Sequence, residues 1–197
     1  MVHALHQLQP AARQLAFGFA VSALAVFTLA SLAGGAIFGW LHRTPAPSLM
    51  AAAALAALAL VDLGAFGLHT PMWRRQTPKQ LFHRFGPSAG ALLWGLDTGL
   101  VVTTFRVTSL SWAALALAAL GLVPWWSGLL YAIGFTVPAA ALVLAVPAHP
   151  WSTEDLQEPI WLQYRLMALE PAMRRVALVA LLAGAVTAGA LSVWGMA

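Results

Sequence analysis

Long apolar runs separated by short polar stretches dominate the hydropathy pattern of this 197-residue chain. A helix of about 20 apolar residues is needed to cross a hydrocarbon layer about 30 Å thick. That length predicts transmembrane helices over residues 15–40, 48–69, 87–104, 107–123, 128–146 and 174–194. We therefore expect an all-α fold in a single transmembrane domain over residues 1–197, a polytopic helical bundle of about six spans.

Two stretches between the predicted spans are too polar to cross a membrane. In residues 71–86, Thr77 precedes Pro78, which is typical of a helix cap followed by proline at the first helical position. Residues 151–170 contain a helix-start signal with acidic residues in the first turn, followed by mixed apolar and polar faces. We predict that both stretches lie at the membrane interface.

The number of crossings depends on residues 87–123, which are apolar apart from Asp97 and Arg106. This stretch is about twice the length of one span. A hairpin that turns near residues 103–106 gives six crossings. One span followed by a re-entrant segment gives five, because irregular backbone at membrane depth is tolerated only where protein or water covers it.

Small residues mark predicted helix contacts. The second span is rich in alanine, so we expect it to be central in the bundle, because small side chains let neighbouring helices approach closely. The same argument predicts packing contacts at Gly34, Gly35, Gly39, Gly184, Ala188 and Ala190.

The composition supports lipid as the surrounding medium. Hydrophobic residues make up 61% of the chain and charged residues 8%, against roughly 25% charged residues in an average soluble domain. The net charge of +4 is small, and basic residues beside apolar segments indicate contact with anionic lipid headgroups rather than with nucleic acid. The first apolar run is too long for a signal peptide, so we expect it to be retained.

The distribution of Lys and Arg bears on orientation, because basic residues favour cytoplasmic loops. With the N-terminus inside, six spans place five basic residues on each side, whereas five spans place eight inside and two outside. The loop 71–86 is cytoplasmic in both schemes. We expect a location in a bacterial cytoplasmic membrane with this loop on the cytoplasmic side.

Three ionisable residues lie within apolar runs: Asp62, Asp97 and Arg106. Each costs roughly 2.5–3.5 kcal/mol near the middle of a membrane, so each requires a partner or a water-filled cavity. Asp97 and Arg106 lie on opposite faces of a straight helix, since nine residues turn it by about 900°. They can pair if the helix breaks between them, near Gly99 or residues 103–104. Pairing of Arg106 with Asp62 is the alternative.

These residues support more than one function. The first hypothesis is a small transporter for a small solute or ion, whose polar core comprises Asp62, Asp97, Arg106, Thr98, Thr103, Thr104 and Thr108. The structural alternatives are an interhelical ion pair, or an arginine that extends to the interface. The second hypothesis is an assembly subunit that binds a membrane-protein partner through residues 151–170 or through the loop 71–86, with its basic residues Arg74, Arg75, Lys79 and Arg84.

Enzyme chemistry finds little support in the sequence. The chain contains no cysteine, which excludes a disulfide or a thiolate metal site within it. The histidines do not fall at the helical spacing of metal ligands, and there is no phosphate-binding loop or nucleophile elbow. We predict neither a metal nor a cofactor, and no hydrolytic activity.

Two groups of three spans, with a Gly-Leu-Asp-Thr-Gly sequence at residues 95–99, resemble the lysine-exporter superfamily. Within it, the chain is most similar to the membrane domain of cytochrome c biogenesis and disulfide-interchange proteins, chiefly between Arg84 and Trp112. The resemblance implies two inverted three-helix repeats and alternating access to a small solute or ion. Those redox proteins carry a cysteine in the first helix of each half. Because this chain has none, it could act in redox biogenesis only with thiols borrowed from a partner.

Overall fold

A computed structural model describes residues 2–68, 70, 80–101, 108–145 and 160–194. Within these ranges all regular secondary structure is helical, which confirms the predicted all-α class for this part of the chain. Two 3-10 turns, Gly39–Arg43 and Ala65–Gly67, each follow an α-helix. The α-helices are α1 (Val2–Phe38), α2 (Ala46–Asp62), α3 (Gln80–Gly99), α4 (Leu110–Ala119), α5 (Ser127–Ala145) and α6 (Ile160–Trp194).

Two stretches of described helix are long and apolar enough to cross a membrane, Ala11–Arg43 and Ala168–Trp194. Three further apolar helical stretches of 10–17 residues are Ala46–Asp62, Leu110–Ala119 and Ser127–Val137. α2 ends seven residues before its predicted boundary, where Gly64 adopts a left-handed conformation with φ 69°. Gly121, also at φ 69°, follows the end of α4. Glycine adopts positive φ without steric cost, so it ends a helix inside an apolar run. Six spans therefore stay a prediction.

α1 is the helix on which the bundle is organised. It packs against α3, α4 and α5, whereas α2 packs against α6 and α4. The prediction that the second span is central is therefore wrong for the described residues. The physical reason is that Gly18 and Gly34 of α1 lie against the backbone of two neighbouring segments, whereas the buried Leu55 and Ala59 of α2 pack with side chains of α4 and α6.

Glycines bring the backbones of α1 and α3 into direct contact. A Cβ atom added to Gly95 would overlap the carbonyl oxygen of Leu15, and one added to Gly18 would overlap that of Leu92. Gly99 lies one turn beyond Gly95 and faces the same helix. The four-residue spacing of Gly95 and Gly99 is the small-residue pattern of close helix pairs. These contacts set the register between the two helices.

The order of contacts along α1 gives the directions of α3 and α4. Gly95 lies against Leu15, Gly99 against Ser22, Val101 against Phe27 and Gly121 against Gly34. Both α3 and α4 therefore run in the same direction as α1 and contact it in succession. A hairpin would return α4 alongside α3 in the opposite direction, so the predicted hairpin is not observed between the described helices. Residues 102–107, which contain the whole of the predicted turn at 103–106, lie outside the described residues.

α5 runs in the opposite direction to α1. The Thr28 hydroxyl donates to the carbonyl oxygen of Trp125 at 3.1 Å, and the ring of Phe135 stacks on that of Phe19 with centroids 4.1 Å apart. Between these points the Tyr131 ring lies 5.8 Å from Phe19. An aromatic column thus fills the contact between the two helices.

The two predicted interfacial segments are described only in part. Residues 80–85 are helical and are separated from the rest of α3 by a kink at Gly86, with φ 77° and ψ 171°. At the other segment, residues 160–170 continue through Pro171 into the last predicted span as one helix of 35 residues. Proline is tolerated in such a helix where neighbouring groups satisfy the freed carbonyl.

The predicted glycine contacts divide into two groups. Gly34 lies against Ala119 and Gly121, and Gly184 lies 3.1 Å from Leu55, measured from an added Cβ atom. Gly35 and Gly39 face open space. Spacing alone does not distinguish these groups, because both occur in apolar helical sequence.

The close contact of α1 with α3 gives a testable consequence. Gly95→Ala places a methyl group against the backbone of α1, and we expect a loss of about 1–3 kcal/mol of unfolding free energy, as for other overpacked sites. Gly35→Ala is the matched control, since the new methyl group meets nothing within 4 Å and alanine favours helix by about 0.5–1 kcal/mol. The unfolding free energies of both variants are measured in mixed micelles, with circular dichroism as the signal. Equal effects of the two substitutions would contradict the assigned contact.

Candidate functional site

The candidate site is built around Asp62, the last residue of α2. The last α-helical hydrogen bond runs from the N–H of Leu63 to the Ala59 carbonyl at 2.9 Å, and the N–H of Gly64 then donates to the Val61 carbonyl at 2.9 Å, a tighter bond that closes the helix. Gly64 then turns the chain away from the helix axis. The carboxylate of Asp62 is thereby held at the end of α2.

The Asp62 carboxylate accepts hydrogen bonds from two other segments. The backbone N–H of Ser109 lies 3.0 Å from each carboxylate oxygen, and the Ser109 hydroxyl donates to Oδ1 at 2.6 Å. The Thr70 hydroxyl also donates to Oδ1, at 3.2 Å. Hydrogen bonds to an ionised acceptor are among the stronger ones in proteins. Asp62 therefore joins α2 to Ser109 and Thr70.

Ser109 is the residue immediately before α4, and its carbonyl accepts the first helical bond, from Ala113 at 2.9 Å. Its own side chain does not cap the helix, and Asp62 binds its N–H instead. A negative charge near a helix N-terminus is favourable because of the helix dipole. Ser109 is fully buried, at 0% exposure, while Asp62 and Thr70 are half-buried. Asp62 is thus an interhelical cap for α4.

The site borders an interruption between α3 and α4. α3 ends at Gly99 and α4 begins at Leu110, so the helix ends five residues before the predicted span boundary at 104, at one of the two positions considered for a break. Val101 lies within it, fully buried against Phe27, with φ 67°. This conformation is strained for a β-branched residue. Val101 thus places the start of the break beside Phe27, near the middle of the apolar stretch Ala11–Arg43.

Asp97 and Thr98 lie on the last turn of α3. The Thr98 hydroxyl donates within its own helix, with the Trp94 carbonyl at 2.9 Å and that of Gly95 at 3.1 Å. Asp97 is half-buried. It lies about 200° around the helix from both Gly95 and Gly99, because each residue turns an α-helix by about 100°. Asp97 is therefore on the side of α3 that faces away from α1.

Several predicted site residues lie outside the described residues: Arg106, Thr103, Thr104, Arg74, Arg75 and Lys79. The proposed pairs of Arg106 with Asp97 or Asp62 therefore stay predictions. Thr108 directly precedes the Asp62-bound Ser109. Arg84 is exposed and its guanidinium lies 5.7 Å from the centre of the Phe85 ring.

Thr70 and Ser109 were not predicted as site residues. Ser109 had a signal in the sequence, since a serine before an apolar helical run is a preferred N-cap. No feature of the neighbouring sequence indicates that Asp62, 47 positions earlier, would accept the hydrogen bond from the first N–H group of that helix. Among the described residues, no three side chains of the metal-ligating types cluster together.

The chain was compared with known proteins in three ways. No protein-family profile, no curated protein sequence and no solved structure matches it. The resemblance to the lysine-exporter superfamily therefore stays a prediction. The function is inferred from the geometry of the described residues.

The link between Asp62 and Ser109 can be measured by a double-mutant cycle. Asp62→Ala and Ser109→Ala should each lower the unfolding free energy by about 1–3 kcal/mol, because each leaves a buried polar group without its partner. The double variant should lose less than the sum, by roughly 1 kcal/mol or more, since both substitutions remove the bond from the Ser109 hydroxyl to Asp62. The bonds from the Ser109 backbone N–H remain in Ser109→Ala. Thr187→Val is the control partner for Asp62, because its hydroxyl donates within α6, to Ala183. Additive losses for Asp62 with Ser109 would show that the hydroxyl bond is not formed.

Proposed function

We propose that the chain is an integral membrane protein that moves a small solute or ion, with Asp62 at its polar site. The observation that carries this proposal is the position of the Asp62 cluster. It borders a helix interruption that is level with the middle of the longest apolar helix. Three features support it: the apolar surface of the described helices, the directions of α3 and α4, and the hydrogen bonds of Asp62 beside the break.

The surface of the described helices favours lipid as the solvent. Large apolar side chains point outward along α1 and α6, with Leu29 68% and Val186 72% exposed. Charged residues lie at the ends of these apolar stretches, as with Arg174 and Glu170, which form an exposed ion pair at 2.8 Å. An apolar exterior of this extent in water would drive association, whereas hydrocarbon solvates it without cost.

The directions of the helices favour five crossings. α4 has ten residues and is about 15 Å long, which is half of a hydrocarbon core of about 30 Å. Since α3 and α4 run in the same direction along α1, we infer that they are the two halves of one interrupted crossing. Five crossings also place eight of the ten basic residues on the side of loop 71–86, as expected for the cytoplasmic face. Such a bundle does not divide into two three-helix repeats.

The chemistry of the break supports transport. Irregular backbone at membrane depth is tolerated where it is covered by protein or lines a water-filled cavity. Many transporters build their binding sites from such interrupted helices, whose ends present backbone groups to the solute. A carboxylate at this depth is costly unless polar partners or water compensate it, and by default it indicates a functional site. Asp62 has polar partners in Ser109 and Thr70 and borders the break.

The five-crossing topology predicts that the two termini lie on opposite sides of the membrane. A reporter fused after Ala197 that is active only outside the cytoplasm should therefore be active, while the same reporter before Met1 should not. A fluorescent protein that folds only in the cytoplasm, fused at the same positions, should give the opposite pattern. Both termini on the cytoplasmic side would instead establish six crossings and contradict the single interrupted crossing.

Transport can be tested in proteoliposomes with imposed gradients of H⁺, Na⁺ and K⁺, read with ion-sensitive dyes. We expect the wild-type chain to dissipate at least one gradient faster than empty vesicles. Asp62→Asn should reduce that flux at least tenfold because it removes the charge at the site, and Thr187→Val should leave it unchanged. Asp97→Asn tests the second carboxylate in the same way.

Folding of each variant is verified by gel filtration and circular dichroism in detergent. Flux equal to that of empty vesicles for all gradients would reject ion transport, and unaltered flux in folded Asp62→Asn would reject the site. The assembly hypothesis would then be tested by co-purification of a membrane partner with the loop 71–86 intact and with Arg84→Ala.

A further inference from the structure

We infer that Asp62 is a proton-binding site, and that its proton is held in a closed ring of hydrogen bonds with the hydroxyl groups of Ser109 and Thr70. This inference rests on the proposed function and names the proton as the ion that is moved. It follows from the distances among three oxygen atoms, from the hydrogen-bonding capacity of hydroxyl groups and from the charges on the neighbouring helices.

Three side-chain oxygen atoms form a triangle at the end of α2. The Ser109 hydroxyl oxygen lies 2.6 Å from Asp62 Oδ1, and the Thr70 hydroxyl oxygen lies 3.2 Å from the same atom. The two hydroxyl oxygens are 3.4 Å apart, which is the longest and weakest of the three contacts. Each side of the triangle is therefore within reach of a hydrogen bond.

The triangle can hold an additional proton without leaving an O–H group unsatisfied. With Asp62 ionised, both hydroxyl groups donate to Oδ1. A carboxylate only accepts hydrogen bonds, whereas a hydroxyl group both donates and accepts. When a proton binds to Oδ1, the new O–H donates to Ser109 Oγ, the Ser109 hydroxyl turns to donate to Thr70 Oγ1, and Thr70 still donates to Oδ1. The side chain of Asp62 loses its negative charge, and every O–H group has an acceptor.

The link between Asp62 and α4 is kept in both protonation states. The backbone N–H of Ser109 lies 3.0 Å from Oδ2, and Oδ2 remains an acceptor when the proton is on Oδ1. Asp62 can therefore gain and lose a proton while it continues to bind the first N–H group of α4.

No basic side chain among the described residues forms an ion pair with Asp62. Neither α4, residues 63–68 nor the rest of α2 contains a titratable side chain. On α6, which packs against α2, the titratable side chains of residues 168–194 are Glu170, Arg174 and Arg175. Arg174 pairs with Glu170 at 2.8 Å.

The turn before α2 contains the other titratable groups, His42 and Arg43, at the opposite end of that helix from Asp62. A fixed positive charge beside a carboxylate would favour its ionised form, whereas hydroxyl groups are compatible with both forms. The neutral partners of Asp62 therefore suit a group that takes up and releases a proton.

The same hydrogen bonds favour a proton over a metal cation. In the observed arrangement the two hydroxyl groups and the Ser109 N–H all donate to the carboxylate. A metal ion at Oδ1 would have to displace these donors from the oxygen. A proton requires only that the Ser109 hydroxyl rotates.

Infrared spectroscopy of the folded protein in detergent micelles tests the ring. Asp97→Asn together with Asp155→Asn leaves Asp62 as the only aspartate, and labelling aspartate with ¹³C at the side-chain carboxyl group identifies its bands. On acidification we expect the carboxylate band to be replaced by the carbonyl band of the protonated acid, while the circular dichroism stays unchanged. The difference spectrum between the wild type and Asp62→Asn gives the same band without the background substitutions.

The position of this band reports the hydrogen bonds. Ser109→Ala and Thr70→Val each open the ring, so the carbonyl band of protonated Asp62 should move to higher frequency in both, because hydrogen bonding to a carboxyl group lowers that frequency. Thr187→Val is the control and should leave the band in place, since its hydroxyl donates to Ala183 within α6. Adding Na⁺ or K⁺ at constant pH should not remove the band.

Three results would each overturn the proton assignment: a band that does not move in the folded ring variants, a loss of helix on protonation, or a loss of the band on adding Na⁺ or K⁺. The outcome is separate from that of the ion-flux assay, in which this inference requires the H⁺ gradient to be dissipated. A band that moves in the absence of any flux would retain the proton site and reject transport. Flux of Na⁺ or K⁺ with an unmoved band would retain transport and reject the proton site.

Discussion

The carboxylate of Asp62 binds the start of α4, and this contact allows an interrupted helix to remain in place within an apolar bundle. The first N–H groups of any helix lack helical partners. In water they would be solvated, but in a surrounding of alanine and leucine they require a protein acceptor. Asp62 supplies it for Ser109 at 3.0 Å. Without such an acceptor, a helix of ten residues that starts among apolar side chains would leave buried N–H groups unsatisfied, which is costly.

α1 provides the frame on which this arrangement is built. Gly18 lies against the backbone of α3, before the break, and Gly34 lies against the turn that follows α4. The aromatic column of Phe19, Tyr131 and Phe135 holds α5 on another side. Because these contacts involve backbone and rigid rings, they leave little freedom in the relative positions of the helices. The polar break is therefore held between well-packed surfaces.

A structural role for Asp62 and a functional role are compatible on physical grounds. A charge among apolar side chains is retained only where hydrogen bonds or water lower its cost, and the bonds from Ser109 and Thr70 do so for Asp62. The same bonds fix the orientation of the carboxylate that the proposed function places at the polar site.

The sequence alone determined the helical class and the apolar character of the helices, because both depend on local composition. It named Gly99 as one of two positions at which the helix could break, but its predicted span continued to residue 104. It also identified Asp62 as an unusual charge within an apolar run. Only the tertiary structure decided that α3 and α4 run in the same direction, that α1 is central and that Asp62 binds Ser109. Those features depend on which distant surfaces meet, and the spacing of glycines and charges along a chain does not specify the partner of each face.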